Sequence, residues 1–105
     1  MPRAYSTGKR DANESGIINF YRGVGAFVKQ MSETAGFDLL VVYRGQTVLV
    51  EVKDPAKFQK KLNPAVAALK SLTKSELEFS SEVTARNGNY AIVWDIETAK
   101  KSIGL

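Results

Sequence analysis

The chain has 105 residues, of which 44% are hydrophobic, and this suits one compact domain with a single core. It contains no cysteine and no histidine, which excludes disulfides, thiol or imidazole catalysis, and metal sites built from thiolates or imidazoles. The net charge of +4 is compatible with a polyanionic partner and equally with ordinary solubility. Any chemistry must therefore use carboxylates, lysine, hydroxyl groups and a metal ion that prefers oxygen ligands.

The amino-terminal residues are polar and basic, and we interpret residues 1–10 as a flexible arm in which Arg10 contacts nucleic acid. No apolar signal segment begins the chain, so a cytoplasmic location is the default expectation. The longest apolar run, residues 39–43, is too short to cross a membrane. Residues 11–105 are predicted to form a single domain.

The first elements are predicted to be a helix and a strand. Asp11 is a suitable helix cap, and apolar residues recur at helical spacing up to about Arg22. Residues 26–31 are predicted to form the first strand.

A β-hairpin is the clearest pattern in the chain. Residues 37–43 and 47–53 are rich in β-branched residues and flank a turn at residues 44–46. Their nearly continuous apolar character suggests strands that are covered on both faces.

The remaining elements complete a mixed α/β fold. Residues 54–71 are hard to assign, although Pro64 suits the first position of a short helix. The pair Thr73 and Glu76 forms a capping-box pattern before a helix that reaches about residue 85. A strand over 90–94 and a helix over 96–103 follow. The predicted order is α-β-β-β-α-β-α, a mixed four-stranded sheet flanked by helices.

Three charged residues stand on the hairpin strands, where charge is costly unless it is paired. Glu51 and Lys53 share one strand face, and Asp38 falls opposite their end of the partner strand. Two carboxylates that bind a divalent ion, beside an ammonium group, could hydrolyse a phosphodiester. The alternative is a cross-strand salt bridge between Asp38 and Lys53, with Glu51 solvated.

Two further acids have both a functional and a structural interpretation. Glu14 faces the sheet from the first helix, and could be a metal ligand or could bond a free N–H at the helix end. Glu76 could orient a water molecule or a phosphate, although its capping position explains it without function.

Four lysines, together with Arg10, are candidates for binding phosphates, or they form a solvated loop surface. They are Lys57, Lys60, Lys61 and Lys74.

The chain resembles the PD-(D/E)XK nuclease superfamily, particularly its small VRR-NUC-like and Holliday-junction-resolvase-like members from phages and prophages. The matching segments are Arg10–Glu14, Gly36–Val41, Glu51–Asp54, Leu72–Thr73 and Tyr90–Val93. The resemblance implies a restriction-endonuclease-like core. Two departures stand out: Phe37 replaces the usual proline, and Glu76 replaces a common glutamine.

The resemblance also implies roles for the site residues. Asp38, Glu51 and the backbone carbonyl of Val52 would bind Mg²⁺ or Mn²⁺, Lys53 would be the catalytic lysine, and Glu14 would be an accessory acid and possible metal ligand. The activity implied is a DNA endonuclease selective for branched structures. It would act as a homodimer in a bacterial or phage-infected cell.

Two other functions compete with this one. The same fold could bind nucleic acid without cutting it, although a pure binder gains nothing from carboxylates that face phosphates. The protein could also be a structural component in which Glu51 and Lys53 merely pair.

Overall fold

The computed structural model describes residues 11–105, and the predicted basic arm with Arg10 lies outside the described residues. Within 11–105 the helices are α1 (Glu14–Gly23), α2 (Pro64–Lys70), α3 (Lys74–Ala85) and α4 (Ile96–Ser102). The strands are β1 (Phe27–Gln30), β2 (Leu39–Tyr43), β3 (Gln46–Val52) and β4 (Tyr90–Val93). The predicted mixed α/β class, with a four-stranded sheet flanked by helices, is confirmed.

The sheet has the order β1-β2-β3-β4. β1 pairs with β2 and β2 with β3 in antiparallel fashion, whereas β3 and β4 are parallel. A parallel pair requires a crossover connection, and here it contains a 3₁₀ turn (Pro55–Lys57), α2 and α3. The carboxyl ends of β3 and β4 therefore lie at the same edge of the sheet.

The β2–β3 hairpin closes through a two-residue turn. Arg44 and Gly45 have φ of 49° and 82°, and positive φ at both positions is the signature of a type I′ turn. The predicted inclusion of Gln46 in the turn is wrong, because Gln46 pairs with Tyr43 as the first residue of β3. This turn sets the register along the whole hairpin.

One face of the sheet forms the core. Val48, Val50 and Val52 of β3 are buried there, as the alternation along the strand predicts. They belong to one cluster with Tyr21 of α1 and Ala99 of α4. The opposite face of β3 carries Leu49 and Glu51, which leaves that face for the candidate site.

The helix starts are partly as predicted. Thr73 and Glu76 form the predicted capping box at the start of α3, and Pro64 begins α2 after the cap Asn63. The prediction that Asp11 caps α1 is wrong, because the residue that directly precedes the helix is Asn13. No helix within residues 11–105 is long and apolar enough to span a bilayer.

Gly36 provides a test of how α3 packs beside the hairpin. It has φ +93°, and a Cβ there would lie 2.8 Å from the Phe79 ring. Gly36→Ala should therefore lower the melting temperature more than Gly25→Ala, which has a similar φ of +95° but open space around it. Overpacking adds about 1–3 kcal/mol to the backbone strain that both variants share. Equal losses in thermal melting would contradict the close packing of Phe79 on Gly36.

Candidate active site

The open end of the hairpin brings the two predicted acids together. Leu39 lies opposite Val50, and the Asp38 N–H donates to the Val50 carbonyl at 2.9 Å. The Asp38 Oδ2 atom accepts a hydrogen bond from the Val52 N–H at 2.8 Å. Glu51 is 5% exposed and lines the same cleft as Asp38. The predicted convergence of these acids is therefore present in the structure.

Lys53 reaches into this group from the end of β3. Its Nζ atom donates to Glu76 Oε1 at 2.9 Å and to the Ser71 carbonyl at 3.3 Å, and it lies 3.7 Å from Glu51 Oε2. The alternative that leaves Glu51 solvated is wrong, because Glu51 is buried. Within residues 11–105, the ion pairs of Lys53 are with Glu51 and Glu76 and not with Asp38.

Glu76 joins the site through the start of α3. Its Oε1 atom accepts both the Lys53 ammonium and the Thr73 N–H, each at 2.9 Å. The capping box therefore fixes the carboxylate, and the lysine uses the same oxygen. The structural and the functional interpretation of Glu76 are thus compatible.

Glu14 occupies the predicted position on α1. It is 3% exposed, and its Oε2 atom accepts a hydrogen bond from Gln30 Nε2 at 3.1 Å. It faces the same cleft as Glu51.

The cleft measures about 220 Å³ and has a strongly acidic lining. Its residues are Asp11, Glu14, Glu33, Asp38, Glu51, Val52, Lys53 and Glu76. The sequence interpretation missed Glu33 in the β1–β2 loop and assigned Asp11 only as a helix cap. Val52 points its side chain into the core, so its backbone faces the cleft. Within residues 11–105, no three acidic side chains are close enough together to form a ready-made metal site.

Burial dominates the electrostatics of Glu51. Desolvation, with the charges of Asp38 and Glu76, raises the pKa of Glu51 to about 9, and Lys53 offsets this only in part. Burial alone would lower the pKa of Lys53, but its hydrogen bond and ion pair with Glu76 hold that pKa above its usual value. Burial would likewise raise the pKa of Glu76, and the hydrogen bond from Lys53 reverses this. Lys53 and Glu76 are therefore charged at neutral pH, whereas Glu51 tends to retain a proton.

Two grooves extend the cleft. One of about 510 Å³ runs past Phe37 and Phe79, whose rings stack with centroids 5.7 Å apart. The other, of about 300 Å³, lies on the far side of Lys53 and is lined by Lys57 and Phe58. A ligand longer than a single phosphate group could therefore contact the protein on both sides of Lys53.

The predicted nucleic-acid-binding lysines are all exposed. Lys57 lines the groove beside Lys53, and its Nζ atom lies 3.6 Å from Asp11 Oδ1. Lys60 and Lys61 follow the 3₁₀ turn, and Lys74 is the first residue of α3. Their contact with nucleic acid stays a prediction.

The Glu51 carboxyl predicts an unusual pH dependence. Its pKa in the folded protein, about 9, exceeds the ordinary value of 4.5. Stability from the proton on Glu51 is therefore complete below pH 4.5 and is lost as pH rises toward 9. Without metal, Glu51→Gln should melt several degrees above wild type at pH 8, since 1 kcal/mol is worth about 4–8 °C here, and the gap should shrink at pH 5. Thermal melting in EDTA measures both.

The exposed Glu78→Gln on α3 is the matched control and should show no pH-dependent difference from wild type. A Glu51→Gln variant that melts below wild type by the same amount at both pH values would contradict the buried, proton-binding carboxyl.

Comparison with known proteins identifies the fold. No protein-family model matches the sequence, and no curated protein matches it. A solved structure described as "VRR_NUC domain" superposes with a TM-score of 0.56 and 22% sequence identity. The match covers 85% of this chain and 91% of that structure's chain. The chain therefore has the fold of a VRR-NUC domain, as the resemblance in its sequence predicts.

Proposed function

We propose that this protein is a metal-dependent DNA endonuclease that hydrolyses phosphodiester bonds. The observation that carries the proposal is the meeting of Asp38, Glu51 and Lys53 at one end of the β2–β3 hairpin, in an open cleft. The VRR-NUC fold supports it, because the hairpin and cleft lie within a domain of that type.

The donors of the cleft fit a hard divalent ion such as Mg²⁺ or Mn²⁺, which prefers oxygen ligands. Asp38, Glu51 and the Val52 carbonyl would hold the ion, with Glu14 as an accessory ligand. Glu51 is a buried carboxyl that retains a proton near other acids, and a bound cation would stabilise its ionised form. Mg²⁺ commonly binds one or two carboxylates and keeps several waters, so Asp38 and Glu51 would suffice as its carboxylate ligands. When bound, the ion supplies positive charge that polarises a phosphoryl oxygen.

Lys53 is proposed to stabilise the negative charge that develops on the phosphate. Its raised pKa keeps the ammonium protonated at neutral pH, which favours this role over removal of a proton from water. Glu76 and the Ser71 carbonyl hold the ammonium beside the cleft. Glu76 thereby becomes a positioning residue for Lys53, and we assign it no direct contact with the phosphate.

DNA is proposed to cross the cleft through both grooves, with the lysines of residues 57–74 neutralising its phosphates. Selectivity for branched DNA and assembly as a homodimer are part of the proposal. A chain of 105 residues offers little surface for a junction, and a symmetric pair would place two sites on two strands.

The catalytic roles predict different effects for two substitutions. Lys53→Ala should reduce Mn²⁺-dependent cleavage by at least about 100-fold, as expected for loss of a group that stabilises charge in the transition state, while Mn²⁺ still raises the melting temperature. Asp38→Asn should lose both cleavage and the Mn²⁺-induced rise in melting temperature. The assay covers single strands, duplex, flaps and four-way junctions, so it also measures structural selectivity.

The exposed Lys29→Ala on β1 is the control and should cleave like wild type. Wild-type protein that cuts no DNA form with Mn²⁺ would overturn the nuclease proposal. If it still binds DNA, the non-cleaving binding module is the better description.

The lysine surface predicts the salt dependence of DNA binding. A triple variant with Lys57, Lys60 and Lys61 changed to Ala should weaken binding and reduce the slope of log affinity against log salt by about 2–3, since each phosphate contact contributes about 0.9. Cleavage at saturating DNA should be unchanged. The control changes Lys29, Lys100 and Lys101, which removes the same charge from β1 and α4. Equal slopes for the two triple variants would place the DNA elsewhere.

A further inference from the structure

The side chain of Asn13 makes two long-range hydrogen bonds at the edge of the site. Its Nδ2 atom donates to the Lys53 carbonyl and to the Trp94 carbonyl, each at 2.9 Å. These residues directly follow β3 and β4, which are parallel. One amide group therefore ties the carboxyl ends of both strands to the start of α1.

Asn13 makes these bonds in place of the usual local one. Asparagine before a helix commonly accepts a hydrogen bond from the first turn, which is worth about 1 kcal/mol. Here Asn13 has helical φ and ψ of −85° and −4°, and its side chain makes no capping bond. The side chain is instead committed to the strand ends, 40 and 81 residues away in sequence.

The orientation of the amide is fixed by its partners. Two carbonyl oxygens require donors, so the NH₂ group must face them. The Oδ1 atom is then buried and has no hydrogen-bond partner among residues 11–105. An unpaired buried acceptor has a cost of about 1–3 kcal/mol. Asn13 therefore makes its two bonds to the strand ends despite the cost of leaving its Oδ1 atom unpaired.

We propose that Asn13 is a positioning residue that sets Glu14 and Lys53 at their mutual distance across the cleft; this rests on the proposed nuclease function. Glu14 is the next residue along the chain, and Lys53 is held through its own backbone carbonyl. We assign Asn13 no direct contact with the phosphate or the metal ion. It fixes α1, which carries one acid of the cleft, to the end of β3, where Glu51 lies within the strand and Lys53 directly follows it.

Asn89 is a natural control for a purely structural role. Its Nδ2 atom donates to the Thr47 carbonyl at 3.1 Å, and its backbone carbonyl accepts the Leu49 N–H at 2.9 Å. It therefore fastens the opposite, amino-terminal end of β3 beside β4, far along the strand from Lys53. Loss of either asparagine side chain removes a hydrogen bond to a backbone carbonyl near one end of β3. Only the bond of Asn13, to the Lys53 carbonyl, lies at the site.

The experiment compares Asn13→Ser and Asn89→Ala with wild type in the full chain. Serine is as suitable as asparagine at the start of a helix, but its single hydroxyl cannot donate to two carbonyls. Asn13→Ser should weaken Mn²⁺ binding by about 10-fold or more and lower kcat by about 10–100-fold, with KM unchanged. Mn²⁺ binding is measured without DNA, by titration well below the melting temperature of each variant. Asn89→Ala should lose stability but keep Mn²⁺ affinity and kcat.

A second variant separates positioning from folding. Asn13→Gln keeps both amide donors on a longer side chain and should retain more Mn²⁺ affinity than Asn13→Ser. Equal Mn²⁺ affinity and kcat in Asn13→Ser and wild type would overturn this inference alone, as would equal losses in Asn13→Ser and Asn89→Ala. Wild-type protein that neither binds Mn²⁺ nor cleaves DNA would overturn the proposed function and this inference with it.

Discussion

The carboxyl group of Glu51 is almost fully buried near the end of β3, where an ionised carboxylate is costly without a compensating cation. Lys53 supplies part of that compensation at 3.7 Å, but its ammonium lies closer to Glu76, at 2.9 Å. Burial and the neighbouring acids therefore still raise the pKa of Glu51 to about 9. This incomplete compensation of Glu51 is the physical reason for proposing a divalent ion. Among the other acids of the cleft, Asp38 and Glu76 lie close enough for their charges to act on Glu51.

Lys53 depends on contacts from both sides of the domain. Asn13, at the start of α1, holds the backbone of Lys53. The Ser71 carbonyl, in the segment before α3, and Glu76, in the first turn of α3, hold its ammonium. The crossover between β3 and β4 thus carries exposed lysines and also contributes to the position of the central ammonium. Residues 54–71, which are hard to assign from sequence, therefore help to position Lys53 through Ser71.

Prediction from sequence succeeded where the determinants are local. The hairpin and the buried face of Val48, Val50 and Val52 follow from local patterns, although the predicted turn over residues 44–46 is one residue too long, because Gln46 pairs with Tyr43. It failed at Asp11 because capping rules describe only bonds within a helix. Asn13 precedes α1 instead, and its bonds reach carbonyls 40 and 81 residues away, which no local pattern contains.

The sequence by itself determined the available chemistry and the strand that bears it. Without cysteine or histidine, only oxygen ligands and lysine remain, and alternation puts Glu51 and Lys53 on one strand face. Only the tertiary structure decided how these groups are paired. Packing of α1 and α3 around the hairpin buries Glu51 and brings Glu76 to Lys53, and burial and pairing depend on distances across the fold, not on spacing along the chain.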